Sequence, residues 1–347
     1  MILSVCLIVK DEESVIARSL SCVQKFADEI IVVDTGSADN TVKIAEQFTS
    51  NVYFFKWCDD FSAARNYAFS KAKGGYLMWL DADDVIEEGE IQKILALKKR
   101  LFEGDTFMLK YKSEPLVYYR ERILRNTAKA LWSGRVHEAI APFGKVCYED
   151  ITITHCKKNH STSKRNLDIY NKMQSENQPF SARDEFYFAR ELYYHGYYRE
   201  GITLFEKVLS RSDAWAENKI SACEHLADCY LALNDRESAK KSLLRALLLS
   251  SPRAELLCKL ANIYFEENDY PTAIFYYKTC LLCVPQTKEG GFCFPDCYNF
   301  IPYIQLCVCY SRLGDNRTAE EYNALAGKIK PDDASYLHNV QFFQNLK

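Results

Sequence analysis

GYLMWLDADD (residues 75–84) is an apolar run that stops abruptly in three carboxylates. A short apolar run closed by polar residues reads as a buried strand. Two earlier segments repeat the pattern: ILSVCLIVKDEE (2–13) and EIIVVDTGSADNT (29–41). In an open parallel sheet, ligands bind outside the carboxyl ends of the strands. The three acidic strand ends therefore predict Asp11, Glu12, Asp34, Asp81 and Asp83 at one crevice. So many carboxylates repel one another unless a cation sits among them, so a hard divalent metal carrying a phosphorylated ligand is the expected occupant.

A D-x-D at a strand end is expected to set its two carboxylates on one side of the chain, because side chains alternate along a strand. One carboxylate can bind the metal while the other reaches a ribose hydroxyl. The metal would neutralise a diphosphate and stabilise it as a leaving group. No G-x-G-x-x-G follows the first strand and no G-x-x-x-x-G-K-[ST] occurs. Both glycine-rich phosphate-binding readings, dinucleotide and P-loop, are thereby excluded. A nucleotide-sugar enzyme, whose phosphates are held by metal, is favoured instead.

Up to about residue 155, strands and helices alternate. DEESVIARSLSCVQKF carries Val15, Ile16, Leu20 and Val23 on one helical face. SADNTVKIAEQF reads as a helix with Ser37 or Asp39 as N-cap, VYFFKW (52–57) as a strand, and SAARNYAFSKA (62–72) and EEGEIQKILALKKRLF as helices. This βαβ series implies an α/β fold with a mostly parallel sheet covered on both faces. TFMLKYKS, LVYYRERILR and YEDITITHC read as further strands that extend the sheet and wall the acceptor side.

From about residue 184 the strand signals vanish and an internal repeat begins. HLADCYLALNDRESAKKSLLRALLLSSP (225–252) aligns with KLANIYFEENDYPTAIFYYKTCLLCVP (259–285), with Ala227/Ala261, Tyr230/Tyr264 and Ala239/Ala273 each 34 apart. QLCVCYSRLGDNRTAEEYNALAGKIKP (305–331) is a third copy, delayed by a 12-residue insertion near QTKEGGFCFPDC, and FARELYYHGYYREGITLFEKVLS (188–210) is a weaker first one. A period of 34 with small residues at helix crossings is the tetratricopeptide signature. Four copies and a capping helix near 334–345 would form a superhelix with a concave groove. The expected division is a catalytic domain at 1–160, a helical linker at 161–183 and a repeat domain at 184–347.

The net charge of −3 gives no electrostatic case for nucleic acid. The chain opens directly into a strand with no basic leader, and no run approaches the roughly 20 apolar residues of a membrane span, so a cytoplasmic protein is expected. Of fourteen cysteines, Cys280 and Cys283 form a CxxC, followed by Cys293 and Cys297. That spacing could hold zinc. The first pair falls on an expected helix, however, and Cys223, Cys229, Cys258, Cys307 and Cys309 sit at helical core spacing, so reduced and buried thiols are the preferred reading.

The first 155 residues resemble glycosyltransferase family 2, of the metal-dependent GT-A fold. The resemblance is carried, in order, by VKDEE, VVDTGSADNT, WCDDFSAARNYA, LMWLDADD and WSGRVHEAI. With the repeats added, the chain resembles the sublancin-type peptide S-glycosyltransferases, and its VHE segment is similar to lipopolysaccharide-core glucosyltransferases. The resemblance implies that Asp11 and Glu12 meet the nucleotide, Asp34 holds uracil or ribose, and Arg65 lies by the phosphates. It implies that Asp81 contacts ribose or metal, that Asp83 binds Mn²⁺ or Mg²⁺, and that a late histidine, His155, completes the metal shell. The donor it implies is a nucleotide sugar, expected to be a UDP-sugar. The acceptor is expected to be a peptide or protein held by the repeats, which also offer a route to a homodimer.

Family 2 enzymes invert at the anomeric carbon, using a carboxylate as general base. Glu138 in WSGRVHEAI is the candidate and Asp150 the alternative; pairing with Arg135 is the structural explanation of Glu138. His137 is expected to assist or orient the site. Asp84 backs Asp83, while Asp59 and Asp60 cap the helix at SAARN. Trp57 and Trp79 are expected in the core, and Trp132 at the sugar pocket. His160, His195, His225 and His338 are read as surface or packing residues. Two rival functions stand beside this one: transfer to a cell-envelope or lipid-linked glycan, and an inactive repeat adaptor.

Overall fold

The computed structural model describes residues 2–113, 116–156, 163–286 and 293–346. His160 lies outside them. The chain divides into two compact units, Met1–Pro179 and Phe180–Lys347. No helix among the described residues is long and apolar enough to cross a membrane.

The first unit opens with β1 (Leu3–Val9), α1 (Ile16–Val23), β2 (Glu29–Asp34), α2 (Thr41–Ala45), β3 (Val52–Phe54), α3 (Phe61–Lys71) and β4 (Tyr76–Leu80). It continues through β5 (Asp84–Val85), α4 (Glu88–Lys98), β6 (Thr106–Ser113), β7 (Leu116–Arg125), β8 (Val146–His155) and α5 (Arg165–Ser175). The eight strands form one sheet in the order β3-β2-β1-β4-β7-β6-β8-β5. Pairs β1–β2, β1–β4, β2–β3 and β6–β8 are parallel. Pairs β4–β7, β6–β7 and β5–β8 are antiparallel.

The central strands are apolar without alternation because both faces are covered. Leu3, Val5, Leu7 and Val9 pack with α1 and α4 through Ile16, Leu20, Val23, Ile91 and Ile94. Cys6, Ile31, Val33, Leu77 and Trp79 pack on the opposite face with Ala68 and Phe69 of α3. The expected strand at 52–57 is shorter, ending at Phe54, and Trp57 falls in the loop beyond it. Helix α5, in the segment expected as a linker, buries Leu167, Ile169, Tyr170 and Met173 within the first unit.

The second unit is helical throughout its described elements: α6 (Ala182–Tyr194), α7 (Tyr198–Ser210), α8 (Ala216–Ala232), α9 (Arg236–Arg245), α10 (Ala254–Glu266), α11 (Tyr270–Cys280), α12 (Phe300–Arg312), α13 (Asn316–Ile329) and α14 (Ala334–Asn345). They form four helical hairpins and a terminal helix. Each hairpin turns through one left-handed residue: Gly196 (φ 80°), Asn234 (φ 61°), Asn268 (φ 62°) and Gly314 (φ 84°). The next amide closes the turn onto the preceding helix, as in Asp235 N–H to Tyr230 O at 2.8 Å and Asp269 N–H to Tyr264 O at 3.0 Å. This is the Schellman closure, and it satisfies carbonyls that a helix end leaves open. Asp235, Asp269 and Asp315 then cap the following helix by accepting from Ser238, Thr272 and Thr318 amides. Ala239, Ala273 and Ala319 are fully buried where helices cross, as are Cys223, Cys229 and Cys309. His225 stacks on Tyr193 with ring centroids 5.3 Å apart, whereas His338 is exposed.

Candidate active site

Within DADD, residues 81–83 form a turn, because β4 stops at Leu80 and β5 begins only at Asp84. Asp84 closes it: the Asp84 amide donates to Asp81 O at 3.1 Å and Asp84 Oδ2 accepts from the Asp81 amide at 3.0 Å. Strand alternation therefore does not govern the pair, and Asp81 and Asp83 take different partners. Asp81 Oδ1 accepts from Arg65 Nη2 at 2.7 Å, and Asp83 Oδ1 lies 3.3 Å from His155 Nδ1.

Asp84 is fully buried and belongs to the same group. Its Oδ1 lies 3.3 Å from His155 Nδ1, since β5 pairs Asp84 directly with His155 at the end of β8. Ligand atoms of Asp83, Asp84 and His155 all lie within 4.8 Å of one another. Two carboxylates and one imidazole suit a borderline divalent cation such as Mn²⁺, and the carboxylates also suit Mg²⁺. Hydrogen bonds to Asp83 and Asp84 push the His155 imidazolium up to about 10.

A cleft of about 330 Å³ opens beside this group, and Glu12, Arg65, Asp81, Asp83, His137 and Glu138 line it. Burial, then repulsion from Asp83 and Asp81, raises the Glu12 carboxyl to about 7. Burial works against the Arg65 cation, but Asp81 and Glu138 outweigh it and hold the guanidinium charged. Burial also opposes the Asp81 anion, yet Arg65 and Arg122 bring its carboxyl down to about 2. Arg65 Nε donates to Glu138 Oε1 at 2.6 Å, so the partner of Glu138 is Arg65 and not Arg135, which reaches Gln178 at 3.2 Å instead. The guanidinium lies 4.8 Å from the ring centre of Trp132, a buried residue of the core and not of the cleft wall.

Other expected residues stand apart. Asp34 is buried and not part of the cleft lining, accepting from the amides of Gly36 and Ser37. Asp11, exposed and left-handed at φ 55°, accepts from the Ala38 amide and so ties the β1 loop to the β2 loop. Asp150 is a surface residue paired with Lys110 and Lys93, away from the cleft lining. Asp60 caps α3 through the Ala63 amide, whereas Asp59 accepts from Trp57 Nε1 and Lys172 Nζ.

Trp57, read as a core residue, lines the cleft, and Phe61, Arg165 and the buried Arg122 are among the cleft or site residues that sequence reasoning did not single out. An arginine running directly into Ile123 and Leu124 in a strand was a signal for the last. Nothing local marked Arg165, which comes from α5.

Residues 4–136 match the family described as Glycosyl transferase family 2, and residues 220–252 and 254–282 match Tetratricopeptide repeat. A TPR repeat-containing protein of Synechococcus elongatus is 46% identical over 81 residues, 23% of this chain and 20% of that one. The SPbeta prophage-derived glycosyltransferase SunS of Bacillus subtilis is 27% identical over 223 residues, 59% of this chain and 52% of that one. The chain thus spans a fifth of the first relative and about half of the second. The crystal structure of S. aureus TarS superposes with a TM-score of 0.41 at 14% identity, covering 70% of this chain and 55% of that one. A glycosyl transferase family 2 domain thus lies within the first unit of this chain, and tetratricopeptide repeats lie within the second.

Proposed function

We propose that the chain is an inverting glycosyltransferase that moves a sugar from a nucleotide donor, a UDP-sugar, to a peptide or protein acceptor. The observation that carries this reading is one cleft lined by Glu12, Asp81, Asp83 and Glu138, with Asp84 and His155 beside Asp83. A crevice this acidic is suited to a diphosphate only through a cation. Asp83, Asp84 and His155 would hold Mn²⁺ or Mg²⁺. When bound, the ion supplies charge that neutralises the donor diphosphate and its leaving group.

The chain's own residues then have separate tasks. Asp81, held ionised by Arg65, accepts from a ribose hydroxyl. Glu138 takes the acceptor proton as the acceptor atom bonds to the anomeric carbon and the bond to the diphosphate breaks. Arg65 fixes the Glu138 carboxylate through Oε1 while that transfer occurs. His137, in a left-handed backbone conformation at φ 51°, turns the loop that carries Glu138 into the cleft. Asp11 and Asp34 act on the nucleotide end by shaping the two loops that close it. The repeats, whose consecutive hairpins pack against one another, would offer a groove of the kind that binds peptides, which supports the acceptor assignment.

The test is a panel of nucleotide sugars scored by thermal shift and donor hydrolysis, with Mn²⁺, with Mg²⁺ and with EDTA. Metal-dependent stabilisation and slow nucleotide release from one donor are expected. No shift with any donor and metal would sink the reading and leave the repeat adaptor.

A further inference from the structure

Arg122 is the largest fully buried side chain among the described residues, and its burial is costly. Nη1 donates to Asp84 Oδ2 at 3.0 Å and to Trp79 O at 3.1 Å. Nε and Nη2 have no hydrogen-bond partner among the described residues. The guanidinium lies 3.7 Å from the ring centre of Trp79 and 4.4 Å from that of Tyr111. Two flat rings thus fix its plane. The backbone is bent to put it there: β6 pairs Phe107 with Ile123 and Met108 with Glu121, which skips Arg122 and makes it the extra residue of a β-bulge. Bulges re-aim a side chain at the expense of regular pairing.

What the bulge aims at is one oxygen of one carboxylate. Oδ2 of Asp84 receives Arg122 Nη1 and the Asp81 amide, both at 3.0 Å, and is thereby pinned. The planar carboxylate must then turn Oδ1 toward His155, where it stands 3.3 Å from Nδ1. A charge pair that served packing alone would not need this direction, since Asp84 is fully buried with Arg122 behind it.

We propose that Arg122 is a positioning residue of the cation site, locking Asp84 Oδ2 so that Oδ1 is presented beside Asp83 and His155. The inference rests on the reading of Asp83, Asp84 and His155 as the cation site. Arg122 never touches the ion; it acts through Asp84.

The experiment titrates Mn²⁺ alone into the full chain and reads free Mn²⁺ by electron paramagnetic resonance, with thermal unfolding alongside. Residues that orient metal ligands typically cost about 10–100-fold in metal affinity when removed. Arg122→Met and Asp84→Asn should each weaken Mn²⁺ binding by at least about tenfold, and Arg122→Lys should recover most of the loss. Adding Arg122→Met to Asp84→Asn should cost no further affinity, because the arginine acts through Asp84. That double variant leaves no unpaired buried charge, so it decides the matter even where Arg122→Met alone fails to fold. Wild-type Mn²⁺ affinity in Arg122→Met, or a further loss in the double variant, overturns the inference. Asp83→Ala separates the two claims: unchanged binding there overturns the cation site itself, whereas loss there with wild-type affinity in Arg122→Met overturns the positioning role alone.

Discussion

Arg65 Nε donates to Glu138 Oε1 at 2.6 Å, joining residues 73 apart in the chain. The bond gives Glu138 a fixed direction in the cleft and binds a helix of the sheet's far face to the loop after β7. If Glu138 is the general base, Glu138→Gln keeps this geometry and removes only the proton acceptor. Transfer should then fall by about 10²–10⁴ in turnover, while Mn²⁺-dependent donor affinity, measured by calorimetry, stays near that of the native protein. Unchanged turnover would reduce Glu138 to a structural partner of Arg65.

Removing Arg65 should act first on stability. Its side chain is 10% exposed, and it neutralises both Asp81 and Glu138. Breaking a buried ion pair costs about 3–5 kcal/mol, and since Asp81 stays partly in contact with water while Glu138 is mostly buried, Arg65→Met should weaken the first unit by the lower part of that range. Amide exchange of β1 and β4 reads the effect directly. Protection in α10 and α11, which lie in the second unit, is the internal control.

The repeats carry a pH dependence of their own. Burial lowers the basicity of His225, which Asp228 and Glu224 partly offset and Arg190 reinforces. In the unfolded chain the same imidazole takes up a proton below about pH 6.5. The unfolded state then binds more protons than the native one, so stability falls as pH drops through that value. Unfolding temperatures at pH 7.5 and 5.5 should diverge less in His225→Gln than in the native chain. An identical divergence would assign the acid sensitivity to other groups.

Asn234 and Asn268 occupy the left-handed turn position that Gly196 and Gly314 occupy in the first and last hairpins. Glycine adopts that conformation without strain, while a β-branched side chain does not. Asn268→Gly should therefore be neutral to stabilising, and Asn268→Val destabilising by about 1–2 kcal/mol in chemical denaturation. A loss as large for glycine as for valine would mean that the asparagine side chain, not its backbone, matters.

How much of this was legible depended on distance along the chain. The acidic strand ends announced the sheet and its ligand edge, because a buried strand must be apolar and its exit polar. The 34-residue spacing of Ala227 and Ala261 announced the repeats for a similar reason: a helix crossing tolerates only small residues. The pairing of Arg65 with Glu138 was not readable, since no local rule joins α3 to the loop after β7. Strand alternation was also the wrong ground at DADD, since β4 stops at Leu80 and Asp84 holds the Asp81 amide, yet Asp81 and Asp83 both line the cleft. Asp34 and Asp11 read as ligand contacts by position, but their carboxylates accept from backbone amides of neighbouring loops. Trp132 and Trp57 exchanged places for lack of any local cue: the irregular segment buries its tryptophan under Arg65, and β3 ends too early to take the other inside.

The pairing of Asp84 with His155 has a consequence for how the protein is made. The two residues stand 71 apart, and β5, which presents Asp84, is a strand of two residues. So short an edge has little to hold it until β8 arrives, and contacts this distant in sequence form slowly because a long loop must close first. During synthesis the acidic turn emerges well before its histidine. The nascent chain therefore carries carboxylates without an imidazole, and the complete ligand set comes into being only as the last strand of the sheet docks. At the proposed cation site, ion binding would in this sense report that β8 has docked.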